Sequence, residues 1–245
     1  MKRWVYTPSP LLNKTLREQL TSFPREPDIA VYGLRLVGIL LERFILAAYF
    51  RLRIVGREKI PPEGPFVLVA NHSSHLDAAV ISAIMRPTQW YHAYAVAAQD
   101  YFFRSFFKAL TAVILTNAMP FDRKRDSEKS LELCAEVLQV SREVIIMFPE
   151  GTRSLDGSIQ MFRTGVGQLV AGTEISVIPA YIHGAHQAWP KGHLFPKPKR
   201  VTLVIGHPRR YAHVPSTREG HISIANDLRE AVLQLQVSMD RNRIS

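Results

Sequence analysis

With 245 residues, 47% hydrophobic and 21% charged, the chain can bury a large core and is wrong in composition for a disordered protein. Thirty-one Lys and Arg against 21 Asp and Glu leave a formal charge of +10, which favours anionic partners such as nucleic acid, an anionic membrane face, an acidic carrier protein or a phosphorylated small molecule. Cys134 is the single cysteine, which excludes an intrachain disulfide and suits a reducing compartment.

The opening Met1-Lys2-Arg3-Trp4 has neither the apolar core nor the cleavage site of a secretory signal. Residues 1–27 scatter Pro8, Pro10, Pro24 and Pro27 among polar residues, which predicts a loosely structured lead-in with one short helix. Residues 29–50 are apolar over a length that could cross a bilayer, for which roughly 20 residues suffice. Arg35, Glu42 and Arg43 interrupt them, however, and charge at mid-bilayer is costly. Arg35, Gly38 and Glu42 share one helical stripe, with apolar residues around the rest. The expectation is an amphipathic helix lying in the lipid interface or docked on the protein, with a buried core helix as the alternative.

Beyond residue 50 the pattern alternates. Leu52–Val55, Phe66–Ala70, Tyr91–Ala97, Val113–Thr116, Val144–Phe148, Val177–Ile182 and Val201–Ile205 predict strands. Asp77–Met85, Arg104–Leu110, Ser127–Val140, Thr164–Ala171 and Asn226–Val237 predict helices. This argues for one α/β layered domain over 51–245, with a largely buried mixed sheet flanked by helices. The segment 1–50 is read as an N-terminal attachment carrying the membrane-associating helix.

Two predicted strand ends carry chemistry. Asn71-His72-Ser73-Ser74-His75-Leu76-Asp77 follows the first buried-looking strand. A neutral imidazole is a usable base near pH 7, and works best when a carboxylate holds its other ring nitrogen. His72 and Asp77 could form that pair only across a bend, because five residues of continuous helix would set them about 140° apart. His72 is therefore expected in the turn after the strand and Asp77 one turn into the next helix, with Asn71 or Ser73 as cap. The second segment is Phe148-Pro149-Glu150-Gly151-Thr152-Arg153-Ser154. Its turn is expected to expose backbone amides to an anion, and Arg153 adds a fork suited to phosphate. Arg123, after Phe121-Asp122, offers a second fork.

Other readings stay open on residues alone. His72 and His75, with His183 and His186 at the same spacing, could be metal ligands, although no cysteine cluster completes a set. Gly165-Val166-Gly167 lacks the full dinucleotide pattern. No nucleic-acid recognition module is visible, so nucleic acid is not an expected partner.

Taken together these residues resemble the glycerolipid acyltransferases, the 1-acylglycerol-3-phosphate acyltransferases and their relatives. That family carries an Asn-His box with a following aspartate, matched by Asn71-His72 and Asp77. A Phe-Pro-Glu-Gly-Thr-Arg-Ser motif is matched at 148–154, and a Val-Ile-Pro strand end at 177–179. The resemblance covers roughly residues 50–207. It departs from the family at Asn117, where glycine is usual, at Pro120-Phe121, and at Arg163, where lysine is common.

The resemblance implies transfer of a fatty acyl group from acyl-CoA or acyl-carrier protein to a lysophospholipid hydroxyl, most readily that of 1-acylglycerol-3-phosphate. It implies His72 as base and Asp77 as its orienting partner. Arg123, Glu150, Gly151, Thr152 and Arg153 are then expected around the acceptor, and Arg163 and Pro179 near the acyl or donor pocket. No metal and no cofactor beyond the acyl co-substrate are expected, and the enzyme is expected on the cytoplasmic face of an anionic membrane. A covalent route through Ser73 or Ser74, a metal-dependent lipid-ester hydrolase and a non-catalytic peripheral lipid-binding protein are the alternatives.

Overall fold

The computed structural model describes residues 29–98, 106–122, 127–140 and 142–244. The lead-in expected over 1–27, and Arg123, lie outside them. Seven strands form one sheet: β1 Arg53–Val55, β2 Phe66–Ala70, β3 Ala93–Ala98, β4 Met119–Phe121, β5 Val144–Met147, β6 Ser176–His183 and β7 Thr202–Ile205. Their order is β1-β7-β6-β2-β5-β3-β4. From β6 to β4 the neighbours are parallel, whereas β7 runs antiparallel to β6 and carries β1 parallel to itself. The sheet is thus mixed, with a parallel centre.

The composition of the central strands explains their place. Phe66–Ala70 and Val144–Met147 have no polar alternation and are buried throughout, as strands covered on both faces must be. Phe66, Leu68 and Ala70 face one core layer with Ile81, Ile84, Met85 and Leu46. Val67 and Val69 face the other, with Leu138, Leu169, Leu228 and Val232. The helices are α1 Ile29–Ala48, α2 Asp77–Ser82, α3 Phe106–Thr116, α4 Ser127–Gln139, α5 Gly165–Val170, α6 Ala185–Ala188 and α7 Arg218–Ile244. The first layer lies under α2, α6 and the end of α1, and the second under α4, α5 and α7. Because β2 and β5 are adjacent and parallel, the segments that follow them emerge at the same edge of the sheet.

One local expectation is corrected. Val113–Thr116, expected as a strand, is the last turn of α3; a short β-branched apolar run is ambiguous between strand and buried helix, and here the helical length decided. Asn117 then ends the helix at φ 48°, a left-handed conformation that asparagine tolerates and glycine adopts freely, which accounts for the departure from the family's glycine. Gly165-Val166-Gly167 is no phosphate loop. A Cβ at Gly167 would strike the His221 backbone, so the residue serves close packing of α5 on α7.

The helix expected over 29–50 forms as α1, and its polarity is turned inside out. Arg35 and Glu42 are 4% and 6% exposed, whereas Val37 and Phe44 on the outer face are 64% and 70% exposed. Arg35 Nη2 donates to Trp90 O at 2.8 Å and Arg43 Nη2 to Met85 O at 2.6 Å. Their guanidinium groups lie over the Tyr91 and Trp90 rings, at 5.1 and 4.7 Å from the centroids. Among the described residues no helix is long and apolar enough to cross a membrane.

Candidate active site at the ends of β2 and β5

Asn71 opens the site. It follows Ala70, the last residue of β2, which pairs with Ala180 of β6. The Asn71 side chain then takes over the ladder, donating from Nδ2 to Ile182 O at 3.1 Å and accepting at Oδ1 from Ile182 N–H at 2.7 Å. The main chain is thereby free to leave the sheet while the Ile182 amide and carbonyl stay paired. Asn71 or Ser73 was expected as the helix cap, but neither side chain caps α2: that of Asn71 is used on the sheet, and Leu76 stands at the cap position. The helix start is organised by Asp77, the first residue of α2 rather than one turn inside it.

Asp77 is fully buried, and its Oδ2 accepts three hydrogen bonds. Ser73 N–H and Ser74 N–H donate at 2.7 and 2.8 Å, and His72 Nδ1 lies at 2.8 Å. Backbone amides can only donate, so Oδ2 is fixed as an acceptor and the His72 Nδ1–H must point toward it. That tautomer leaves the Nε2 lone pair available on a side chain that is 23% exposed. The imidazole stacks on Phe148 at 4.4 Å between centroids and 21° between planes. The ring is held by a hydrogen bond at one edge and by an aromatic face.

The second segment is stitched to the first. His72 N–H donates to Glu150 Oε1 at 2.8 Å, and Ser154 N–H donates to His72 O at 2.8 Å. Glu150, expected around the acceptor, is 4% exposed and has its Oε1 turned onto the His72 backbone. Burial pushes its carboxyl up to about 7, partly offset by hydrogen bonds from the His72 and Gln160 backbones. The turn was also expected to leave its amides open to an anion. Two are occupied: Gly151 N–H by Phe148 O at 3.0 Å and Ser154 N–H by His72 O.

Gly151 has φ 72°, and a Cβ there would lie 2.7 Å from Arg163 Nε. The Arg163 side chain therefore crosses over this glycine, while its own N–H donates to Pro149 O at 2.9 Å. Thr152 is exposed at the crest of the turn. Beyond it Asp156 Oδ1 accepts from Ser154 Oγ, Ser158 N–H and Ser158 Oγ, and the Ser158 and Ser154 hydrogen bonds hold its carboxyl well below the usual range.

Arg153 Nη1 lies 2.6 Å from both ring nitrogens of His75. A guanidinium cannot accept, so the imidazole facing it must present a lone pair. The His75 ring also meets Trp189, whose ring centroid is 5.1 Å away. Trp189 O accepts from Ser74 Oγ at 2.7 Å and from His75 N–H at 3.3 Å, fixing this wall to the His72 turn. Phe148, His75 and Trp189 were not assigned to the site by sequence. Phe148 lay inside a motif and was legible, whereas nothing local marks Trp189.

Pro179, expected near the acyl or donor pocket, is buried within β6, opposite Val69 of β2. Its ring lies 2.9 Å from where a Cβ of Gly206 would stand, so it packs within the sheet. His72 and His75 each meet a different protein partner, and His186 Nε2 donates to Leu155 O at 3.1 Å. Among the described residues no group of three or more His, Cys, Asp and Glu is arranged to hold a metal ion.

Residues 51–183 match the family described as Acyltransferase. A 1-acyl-sn-glycerol-3-phosphate acyltransferase of Chlamydomonas reinhardtii is 31% identical over 161 residues, covering 65% of this chain and 47% of that protein. One from Bacillus subtilis is 25% identical over 203 residues, covering 81% of this chain and 95% of the relative. The crystal structure of the 1-acyl-sn-glycerophosphate acyltransferase from Thermotoga maritima superposes with a TM-score of 0.61 at 22% identity, covering 84% of this chain and 79% of that one, a likeness of fold. The chain thus spans about half the length of the algal relative and nearly all of the bacterial one. With both motif-bearing strand ends inside the matched region, the chain belongs to the acyltransferase family.

Proposed function

We propose that this protein is a 1-acylglycerol-3-phosphate O-acyltransferase, moving a fatty acyl group from an acyl thioester to the free hydroxyl of lysophosphatidate. One observation carries the reading. The Nδ1 of His72 meets a carboxylate oxygen already fixed as an acceptor, at a bend tied directly to the arginine-bearing turn. In the proposed reaction His72 Nε2 takes the proton of the acceptor hydroxyl as that oxygen attacks the thioester carbonyl. The tetrahedral oxyanion collapses, expelling the donor thiolate, which recovers the proton from the imidazolium. Asp77 holds the tautomer and stabilises the imidazolium, a positioned-base arrangement typically worth about 10²- to 10⁴-fold in rate.

Arg153 supplies the permanent charge for the acceptor phosphate, braced by His75, which itself packs on Trp189. Thr152 on the same turn, and Arg163 reaching across its Gly151, extend the polar rim. Glu150 acts one step removed, by holding the His72 backbone. No metal or further cofactor enters this scheme. The donor is acyl-CoA or acyl-carrier protein, both anionic and both compatible with the +10 charge.

The outer face of α1 supports a place on the membrane. Leu34, Val37, Leu40, Leu41, Phe44 and Ile45 are between 42% and 70% exposed, while the charges of the helix face inward. Such a face is costly in water and favourable in the lipid interface, and it would hold the site beside membrane-borne acceptors on the cytoplasmic face. The test is mass spectrometry of products after incubation with mixed lysolipids and either donor. Esterification of lysophosphatidate is the expected result. Acylation confined to neutral-headgroup lysolipids, or no acylation with either donor, would refute the assignment.

A further inference from the structure

The segment between Trp189 and Val201 takes no part in the chemistry above, yet its surface is unusual. Leu194 and Phe195 are 78% and 76% exposed, placing two adjacent large apolar side chains largely in solvent. Lys191, Lys197, Lys199 and Arg200, all exposed, surround them. No Asp or Glu occurs between Glu174 and Glu219, so nothing along the segment offsets this charge.

The loop is held at both ends. Trp189 Nε1 donates to His193 O at 2.9 Å, and Lys197 N–H donates to Ala188 O at 2.8 Å. Tyr49 Oη donates to Pro196 O at 3.2 Å, and Val201 N–H to Phe50 O at 3.0 Å. These last two contacts set the tip beside the end of α1, where Phe44, Ile45 and Tyr49 are 70%, 42% and 41% exposed. At its other end the loop begins from Trp189, which packs on His75 beside Arg153.

We propose that residues 190–200 form a second membrane-docking element, in which Leu194 and Phe195 enter the acyl-chain boundary of an anionic bilayer. Lys191, Lys197, Lys199 and Arg200 then meet the lipid phosphates. An apolar tip inside a ring of unopposed basic side chains is complementary to an anionic lipid surface on both counts. It also extends, through Tyr49, the exposed apolar face of α1. An acidic protein would satisfy the lysines and leave the tip and that adjoining face in water. Because the loop springs from the wall of the site, docking would bring the acceptor phosphate of a membrane lipid toward Arg153. The inference rests on the reading that the acceptor is a membrane lipid.

The test places an environment-sensitive fluorophore on Leu194→Cys in the full chain. Cys134 will not compete, since it is buried and its thiol is pushed up to about 12. On phosphatidylcholine vesicles containing phosphatidylglycerol the probe should shift to the blue and become shielded from acrylamide. Adding Lys197→Glu and Lys199→Glu should raise the lipid needed for half the shift by about tenfold or more. An unlabelled Leu194→Ser/Phe195→Ser variant should turn over vesicle-borne lysophosphatidate about tenfold more slowly and a monomeric short-chain analogue at the wild-type rate. A probe that stays in water on every vesicle, or shifts only on addition of acyl-carrier protein, overturns the proposal. An unshifted probe in an active enzyme removes the loop alone, whereas a shifted probe without acyl transfer removes the proposed reaction alone.

Discussion

Beyond the end of β2, Asp77 is fully buried; its Oδ2 accepts three hydrogen bonds, while its Oδ1 has no hydrogen-bond partner among the described residues. In α1, Glu42 is nearly as buried, and neither of its carboxyl oxygens has a hydrogen-bond partner among the described residues. The two acids lie on the same side of the sheet, beside one core layer, but are treated in opposite ways. In the first, three donors converge on one oxygen, fixing its orientation and handing that orientation to His72. The second is pushed up to about 9 by burial, with Arg43 opposing the shift, so it is neutral at physiological pH. The contrast teaches what each region is built for. At the strand ends one carboxylate oxygen gathers several donors and holds a geometry, whereas α1 accepts an acid with neither oxygen bonded inside while leaving Phe44 and its neighbours outside. Such a helix is poorly suited to water on its outer face, in keeping with the proposed place on a membrane.

The largest effect that sharpens this contrast is at Asp77. Asp77→Asn offers an amide that can donate where three donors already converge, and is expected to lower kcat by about 10²- to 10⁴-fold in steady-state phosphatidate formation. If that variant turns over normally, the strand-end network is structural only. Next comes Arg153→Ala, for which KM for lysophosphatidate should rise about 10- to 100-fold while kcat changes by less than about threefold. Arg153→Lys should recover part of the loss; a fall confined to kcat would take Arg153 away from ground-state phosphate binding.

A stability effect follows at Glu42. Its folded pKa, about 9, stands above the reference value of 4.5, so its contribution is fully present below pH 4.5 and is lost as pH rises through 9. Glu42→Gln should therefore match wild type at low pH and exceed it at pH 8 by on the order of 1–3 kcal/mol in urea melts. A difference that does not change with pH would contradict the buried neutral acid. The smallest effect is expected for Glu150→Gln, because the amide oxygen can still accept from His72 N–H. Activity within about threefold of wild type at pH 8 is the forecast, and a loss as deep as that of Asp77→Asn would show that Glu150 does more than hold the bend.

Much of this was legible in the residues. Phe66–Ala70 and Val144–Met147 are continuous apolar runs, and such runs become central strands. The His72–Asp77 pair lies within six consecutive residues, so its geometry could be reasoned from one bend. Contacts made across the chain were hidden. Asn71 or Ser73 was expected as a cap from its place before the helix, while the partner that claims Asn71, Ile182, is 111 residues away. The inward turn of Glu150 depends on a backbone amide 78 residues earlier, and Trp189 reaches Ser74 across 115. The stripe of Arg35 and Glu42 was visible, but which way it faced depended on Trp90, Tyr91 and Met85 packing against it. Local pattern determined the elements and the first motif; tertiary partners determined what several polar side chains do there.

The most direct test of the central claim is turnover of His72→Gly with acyl thioester and lysophosphatidate, with and without added imidazole. Removing the base and leaving its socket between Phe148 and Asp77 should lower phosphatidate formation by about 10²- to 10⁴-fold, with partial recovery when free imidazole occupies the gap. Turnover at the wild-type rate without imidazole, in a variant with a wild-type thermal midpoint, would contradict His72 as the base.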